Sequence, residues 1–389
     1  MRKIYTGIDI GTYHIKVVIA SPGESSEVPM QILGTGTATS KGLRHGYIVD
    51  GAEVTKSIRE ALHRAATAGK VRVRKARVAL GGVGLDELRS TGEVPLTQSG
   101  GIVTDKEIER ALRESEKRAA GKLANRTIIH TIPIEYRVDG ARVFGKPQDM
   151  QGTKLSVDCL LITMLTHHHD ELIEAVERAG VEVEGVMASP LAASLVTLTK
   201  SQKTAGVVLA NIGAQTLSIV VFDNDTPISL KVFPVGSADI TNTIALSLQV
   251  PLPEAEQMKR GAVTGSSVPP RKMQTIVAAR LKDMFALIHA HLKSIDRAKL
   301  LPAGIVITGG GSGLSSAAEI ARLILKLPSQ LSQIGYLPRS SGVDATWAVA
   351  YGLCRWAYAE EMGGGGGNLN EIVENAWDTV KGALRSLLP

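Results

Sequence analysis

Apolar positions along the chain follow strand spacing and helix spacing in an order that repeats once. Gly7 to Thr12, followed by the apolar stretch Ile15 to Ile19, recurs as Leu209 to Ala214, followed by Leu217 to Phe222. Each copy consists of an apolar strand, a tight glycine turn and a second apolar strand. Copies that open the two halves of a chain predict duplicated α/β domains facing each other across a cleft.

Between the copies, the pattern changes from about Val83 to Leu165. Before it, Asp50 to Glu53 forms a capping box ahead of an amphipathic helix. Within it, a second capping sequence at Thr104 to Glu107 precedes a helix, and two strands follow around Thr127 to Val138 and Leu155 to Leu165. This self-contained α+β piece is predicted to be an insertion into the first half.

These patterns predict six segments. They are a first core at 1–82 and 166–200, an insertion at 83–165, a second core at 201–238 and 301–361, a second insertion at 239–300, a glycine linker at 362–367 and an amphipathic helix at 368–389.

The last segment has a complete apolar stripe at spacings of three and four residues. Charges on the other face exclude a spanning helix, whereas the tryptophan and the basic end suit a membrane surface. A helix docked on the protein body or in a coiled coil is the alternative, which the five-glycine linker disfavours. The residues expected to face the lipid are Leu369, Ile372, Val373, Trp377, Val380, Leu384, Leu387 and Leu388.

Composition adds a charge of +6 and a pI near 9.2, which favour an anionic partner, either nucleic acid or the inner leaflet of a membrane. Aromatic residues are only 4%, so stacking platforms are scarce and no nucleic-acid partner is expected. The N-terminus runs directly into a strand, so we expect no signal peptide and a cytoplasmic location. Cys159 and Cys354 lie in separate apolar runs and are predicted to be buried free thiols.

Glycine at the tip of a strand turn leaves backbone N–H groups free to point at phosphate oxygens. Two such turns, one from each half, could clamp a polyphosphate, and Asp9 could hold Mg²⁺ through water. A third glycine cluster, Gly309 to Ser312, follows a buried strand and opens a helix, which suits contact with a nucleoside. Glu256 and Lys259 lie one helical turn apart and could reach ribose and adenine, although a solvated ion pair is the simpler interpretation.

Together these residues resemble the phosphate and adenosine motifs of the actin and DnaK-type ATPase superfamily. Within it, the stretch Ile128 to Tyr136 and the strand end Leu161 to Thr163 are similar to the subdomain peculiar to the bacterial cell-division family FtsA. Further matching stretches are Ala175 to Arg178, Pro190 to Ser194 and Gly304 to Gly310. The resemblance implies an actin-like, ribonuclease-H-like α/β fold, duplicated around a nucleotide cleft that binds ATP and Mg²⁺.

The nucleotide contacts expected on these grounds come from both halves of the chain. They are Asp9, Gly11, Thr12, Tyr13, His14, Asn211, Gly213, Ala214, Gln215, Thr216, Gly236, Glu256, Lys259, Gly309, Gly310, Gly311 and Ser312.

Two positions depart from the family pattern. Asn211 stands where the second phosphate motif normally carries Asp, and Ser189 stands where a Glu suited to positioning the attacking water is common. No catalytic residue is assigned. The hypothesis is therefore a protein that binds ATP and hydrolyses it slowly or not at all.

By resemblance, the chain is expected to form actin-like filaments at the cytoplasmic face of the membrane and to anchor FtsZ during cell division. The first insertion would make filament contacts, and the second would bind the FtsZ C-terminal peptide through Arg271, Lys272 and Arg280. A PilM-type pilus-assembly protein, which normally lacks the tail, is one alternative. A sugar kinase is the other and would need an acidic base, for which no motif is found.

The run His167 to His169 invites a metal site, but successive residues do not converge on one ion. A solvated loop is predicted there.

Overall fold

The computed structural model describes residues 3–23, 30–97, 100–261, 270–314, 316–334 and 343–362. The glycine linker and the expected membrane helix lie outside these residues. No helix in the described ranges is both long enough and apolar enough to span a bilayer.

Strands and helices alternate along both halves of the chain. The strands are β1 (Tyr5–Ile10), β2 (His14–Ser21), β3 (Gln31–Thr39), β4 (Leu43–Arg44), β5 (Tyr47–Ile48), β6 (Lys75–Leu80), β7 (Asp86–Pro95), β8 (Arg126–Val138), β9 (Ala141–Val143), β10 (Lys154–Leu165), β11 (Glu182–Ala188), β12 (Val207–Ile212), β13 (Leu217–Asp223), β14 (Thr226–Phe233), β15 (Ile305–Thr308) and β16 (Ser329–Leu331). The helices are α1 (Gly51–Gly69), α2 (Asp105–Ala119), α3 (Thr166–Arg178), α4 (Ser189–Thr197), α5 (Lys200–Ala205), α6 (Ser237–Leu248), α7 (Leu252–Lys259), α8 (Pro270–Ser294), α9 (Ala317–Leu325) and α10 (Ala348–Met362).

The two principal sheets have the same topology. The first has the order β3-β2-β1-β6-β11 and the second β14-β13-β12-β15-β16. In each, the first three strands along the chain form an antiparallel meander, and the other two run parallel to the first of them. The strand register is also the same in the two sheets. Asp9 pairs with Lys16 and Ala79, and Asn211 has the equivalent partners Ser218 and Thr308. The duplicated fold predicted from the repeat is confirmed.

A shared core joins the two halves. Side chains from both sheets, including Val18 and Phe222, pack with α4 and α10 in one buried cluster. The two helices can approach closely because Gly352 has no side chain. A Cβ at this position would lie 1.9 Å from the Ala192 carbonyl oxygen. Burial of this cluster fixes the halves at one side and leaves the carboxyl ends of β1, β6, β12 and β15 to form the walls of a cleft.

Asp50 is the N-cap of α1, as the first half of the predicted capping box requires. The Asp50 carboxylate accepts hydrogen bonds from the backbone N–H groups of Ala52 and Glu53 at 3.0 and 3.1 Å. Val54 and Ile58 on the predicted apolar face are fully buried against the first sheet.

The first insertion is a separate antiparallel sheet, ordered β7-β10-β8-β9, with α2 packed on one face. Helix α2 and strands β8 and β10 lie where the sequence predicts them. Strand β7 was not predicted, because its alternation is interrupted by Arg89 and Gly92. Gly92 is needed there, since a Cβ would lie 1.8 Å from the Ala111 carbonyl oxygen of α2.

The prediction of a solvated loop at His167 to His169 is wrong, because these residues form the first turn of α3. His168 is only 3% exposed, its Nε2 lies 2.6 Å from the Gly46 carbonyl oxygen, and its ring centroid is 4.7 Å from that of Tyr47. Contact with a distant hairpin supplies this burial, and the local sequence does not reveal it.

The second insertion consists of the helices α6, α7 and α8, held to the second sheet by Met284, Phe285 and Ile288. Both cysteines are buried and free, as predicted.

Candidate functional site

A cavity of about 760 Å³ lies between the two halves, where the strands of both sheets end. All of the predicted nucleotide residues line it except Gln215, Gly236 and Ser312. The duplicated glycine turns therefore do face each other across one space.

The first turn joins β1 to β2. A Cβ at Gly11 would lie 2.8 Å from the His14 carbonyl oxygen, so the turn closes tightly only without a side chain. Burial raises the pKa of Asp9 to about 6, and the Lys16 ammonium on the paired strand opposes this rise. Asp9 is consequently charged in most molecules at neutral pH and is available as a metal-orienting carboxylate.

Lys16 lines the cavity but was not predicted. Burial lowers its pKa, with Asp9 and Asp344 acting in the opposite direction, and its Nζ donates to the Thr346 carbonyl oxygen. A lysine inside the apolar strand Ile15 to Ile19 is a sequence signal that could have identified it, because a buried charge requires a specific partner.

The second turn, at Gly213 to Thr216, is held by the start of α6. Ser237 N donates to Gly213 O at 2.9 Å, and Ala238 N donates to Ala214 O at 2.8 Å. Gly236 does not line the cavity, but a Cβ on it would lie 2.4 Å from Ala214 O. Its role is to let the helix approach the turn.

The third turn packs directly on the second. Gly309 has φ +89°, and a Cβ on it would lie 2.1 Å from Asn211 Oδ1. Gly311 N donates to Ile212 O at 2.9 Å, and Ser312 Oγ donates back to Gly309 O at 2.7 Å. Ser312 therefore stabilises the turn and does not face the cavity.

Glu256 and Lys259 belong to a hydrogen-bonded network in the cavity wall. They are therefore not the solvated surface ion pair that was the simpler interpretation of the sequence. Lys259 Nζ lies 2.6 Å from Glu256 Oε2 and also donates to Ser237 O at 3.1 Å and to Thr241 Oγ1 at 2.8 Å. Burial raises the pKa of Glu256, but hydrogen bonds from Lys259, Thr241 and Arg260 outweigh it and hold that pKa below its ordinary value. The Lys259 side chain is only 8% exposed, so the network is fixed.

Arg260 extends this network across the cleft to the first turn. Its guanidinium donates to Tyr13 OH at 3.1 Å and lies 5.6 Å from the centre of the Tyr13 ring.

Asn211 and Ser189, the two positions that differ from the expected motif pattern, both line the cavity. Among the described lining residues, the carboxylates are Asp9 and Glu256. Because Glu256 already binds Lys259 and Arg260, Asp9 is the carboxylate left for a metal or a water.

Four further glycines line the wall and are not among the predicted contacts: Gly46, Gly81, Gly82 and Gly313. Gly46 and Gly82 have φ +88° and +91°, and a Cβ on Gly46 would lie 2.3 Å from the Gly82 Cα. The repeat could have identified two of them. With Asp9 aligned to Asn211, Gly81 and Gly82 occupy the place after β6 that Gly310 and Gly311 occupy after β15.

The three basic residues predicted to bind a partner do not line the cavity. Arg271 and Lys272 are exposed in the first turn of α8. Arg280 donates to Thr243 Oγ1 at 2.9 Å and pairs with Asp283 at 3.1 Å. The predicted lipid-facing residues lie outside the described residues.

Duplicated sheets of this topology around a glycine-lined cleft define an actin-like protein, and solved structures agree. The chain is similar to a "PilM-PilN type IV pilus biogenesis complex" chain, with a TM-score of 0.68 and 19% identity over 91% of this chain and 98% of that one. It is also similar to MreB5 of Spiroplasma citri bound to ADP, with a TM-score of 0.55 and 12% identity over 93% and 99% of the two chains. These likenesses show the fold alone.

Sequence comparison identifies the family. A family described as "SHS2 domain inserted in FTSA" matches residues 82–163, and one described as "Cell division protein FtsA" matches residues 208–352. The FtsA of Pseudomonas aeruginosa is 29% identical over 85% of this chain and 82% of its own length, and that of Bacillus subtilis is 28% identical over 92% and 84%. The chain belongs to the FtsA family of actin-like cell-division proteins.

Proposed function

We propose that the chain binds Mg·ATP in the cleft, assembles into actin-like filaments at the cytoplasmic face of the membrane, and anchors FtsZ filaments there. The observation that carries the proposal is the convergence of three glycine turns and the Glu256–Lys259 network on one cavity.

The residues present fit a magnesium nucleotide. The turns at Gly11, Gly213 and Gly310 offer backbone N–H groups without shielding side chains, which suits phosphate oxygens. Lys16 supplies a positive charge, and Asp9 supplies a buried carboxylate for a hydrated metal ion. Thr241 lines the adjoining wall, and its Oγ1, which donates to Glu256 and accepts from Lys259, keeps one lone pair that can accept from a ribose hydroxyl.

Hydrolysis is expected to be slow, because the cavity wall has Asn211 and Ser189 where the family commonly has acids. The same deficiency disfavours a sugar kinase, which needs an acidic base beside its substrate. Single-turnover measurement with Mg·ATP tests this expectation. A brisk release of phosphate would contradict it.

Membrane attachment is proposed for the amphipathic segment 368–389. Large apolar side chains contribute about 1.5–3 kcal/mol each when fully buried, so a few suffice for reversible membrane binding. Polymerisation would link several such helices and so increase the overall affinity for the membrane. Co-sedimentation with anionic vesicles, with and without ATP, should pellet the full chain. A chain ending at Met362 should stay in the supernatant, and equal pelleting of both would overturn the assignment.

The FtsZ C-terminal peptide is proposed to bind the second insertion. Arg280 is held by Thr243 and Asp283, so its position is fixed before a partner arrives. Arg280→Glu should weaken peptide binding measured by fluorescence anisotropy. Arg113→Glu is the matched control, because it makes the same charge change on the exposed face of α2. Unchanged affinity in the Arg280 variant would count against the assignment.

A further inference from the structure

One side chain reaches from the first half to the second phosphate turn without lining the cavity. His45 lies at the tip of the β4–β5 hairpin, with φ +50°. Its backbone N–H donates to Gln215 Oε1 at 2.7 Å. Its Nδ1 lies 3.0 Å from Gln215 O and donates to it when that nitrogen carries the proton.

These two bonds cross the cleft. Gln215 lies between Ala214 and Thr216, both of which line the cavity, and it belongs to the turn that would receive phosphate. Movement of the turn by a bound ligand therefore acts on His45 through both a backbone and a side-chain bond.

The hairpin tip is also bound to the segment that enters the first insertion. Val83 N donates to His45 O at 3.1 Å, and the neighbouring glycines Gly46 and Gly82 are in van der Waals contact through their backbones. Gly84 O in turn accepts from Arg126 of β8 at 2.8 Å. The same arginine donates to Thr163 Oγ1 of β10 at 2.9 Å.

His168 supports the hairpin from the other side. Its Nε2 lies 2.6 Å from Gly46 O, and its ring packs on Tyr47. The hairpin is thus held between α3, the entry to the insertion and the second phosphate turn, with little freedom to move independently of them.

We infer that His45 is a cross-cleft latch, which couples the second phosphate turn to the base of the first insertion, so that nucleotide in the cleft alters how firmly the insertion is seated. The inference rests on the proposed nucleotide binding and names the route by which that site would control a second part of the molecule. Coupling between two sites can be carried by a chain of hydrogen bonds and packed groups, and the His45 bonds provide one.

Hydrogen exchange at Val83 measures the latch in the full-length protein. Without nucleotide, Gln215→Ala removes the Oε1 acceptor and should speed exchange in a peptide covering 82–86 by roughly 2- to 12-fold, the effect of losing one hydrogen bond. Gln215→Glu keeps an oxygen acceptor and should restore protection. His167→Ala is the matched control, since His167 is exposed on the first turn of α3, beside the buried His168.

With saturating Mg·ATP, the wild type and the control should show further protection in 82–86, and Gln215→Ala should show none. Protection that is the same in all variants, or a wild-type segment that does not respond to ATP, overturns the latch. Calorimetric titration on the same samples shows whether ATP binds at all. If ATP binds without altering 82–86, the latch alone fails, whereas an absence of binding removes the proposed function as well.

Discussion

Replacing Gly236 by alanine tests whether the second turn binds phosphate through its backbone. The new Cβ would lie 2.4 Å from Ala214 O and 2.7 Å from Gln215 N, about 1 Å short of ordinary van der Waals contact. Ile240 of α6 and the strand ends Ile212 and Leu217 on either side of the turn are buried in one core, so the short turn between those strands is the part that must yield. Its N–H groups would then be misplaced relative to a phosphate.

A hydrogen bond to a charged group contributes about 1.5–3 kcal/mol, so misplacing one N–H should weaken Mg·ATP binding by roughly 10- to 150-fold. Calorimetric titration measures the affinity, and a cooperative denaturation curve checks that the variant is folded. Gly92→Ala creates a similar backbone clash, 1.8 Å from Ala111 O, but in the insertion away from the cleft. It should lose stability and keep its ATP affinity. A folded Gly236→Ala protein that binds ATP as the wild type does would refute the reasoning.

Two further predictions concern stability and catalysis. Burial lowers the pKa of His130 to about 3, and its Nε2 accepts from Ala188 N at 3.1 Å, so the folded protein keeps it neutral. Below the ordinary histidine pKa of about 6.5, the unfolded chain binds a proton that the folded chain does not. The free energy of unfolding therefore decreases as the pH is lowered, and at pH 5 it is about 2 kcal/mol smaller than at neutral pH. His130→Gln should abolish this part of the slope in urea denaturation, and an unchanged slope would disprove the assignment. Combining Asn211→Asp with Ser189→Glu should raise single-turnover ATP hydrolysis about 100-fold or more, and no gain would show that other residues limit the rate.

Local patterns predicted the parts of the fold that depend on neighbours in sequence. The N-cap at Asp50, the apolar face of α1 and the glycine turn after β1 all follow from spacing and residue type. The strand, glycine turn and strand around Asp9 recur around Asn211. This repeat was sufficient to predict two facing sheets, because similar patterns far apart in a chain reflect a duplicated structure.

Long-range contacts explain what the sequence did not reveal. His168 is buried by a hairpin about 120 residues away, and Gly236 matters through Ala214, which precedes it by about 22 residues. Ser312 and Gln215 were expected to touch nucleotide because they lie in glycine turns, yet each side chain bonds within the protein. Direction of a side chain depends on packing against distant elements, and no local pattern encodes that.

Titration of Mg·ATP into the full-length protein tests the central claim most directly. We predict saturable one-to-one binding, weakened in Asp9→Asn when Mg²⁺ is present and little changed in that variant when EDTA removes the metal, because Asp9 acts through the ion. A flat titration of the folded wild-type protein would contradict the nucleotide cleft, and with it the latch and the ATP-dependent assembly proposed here.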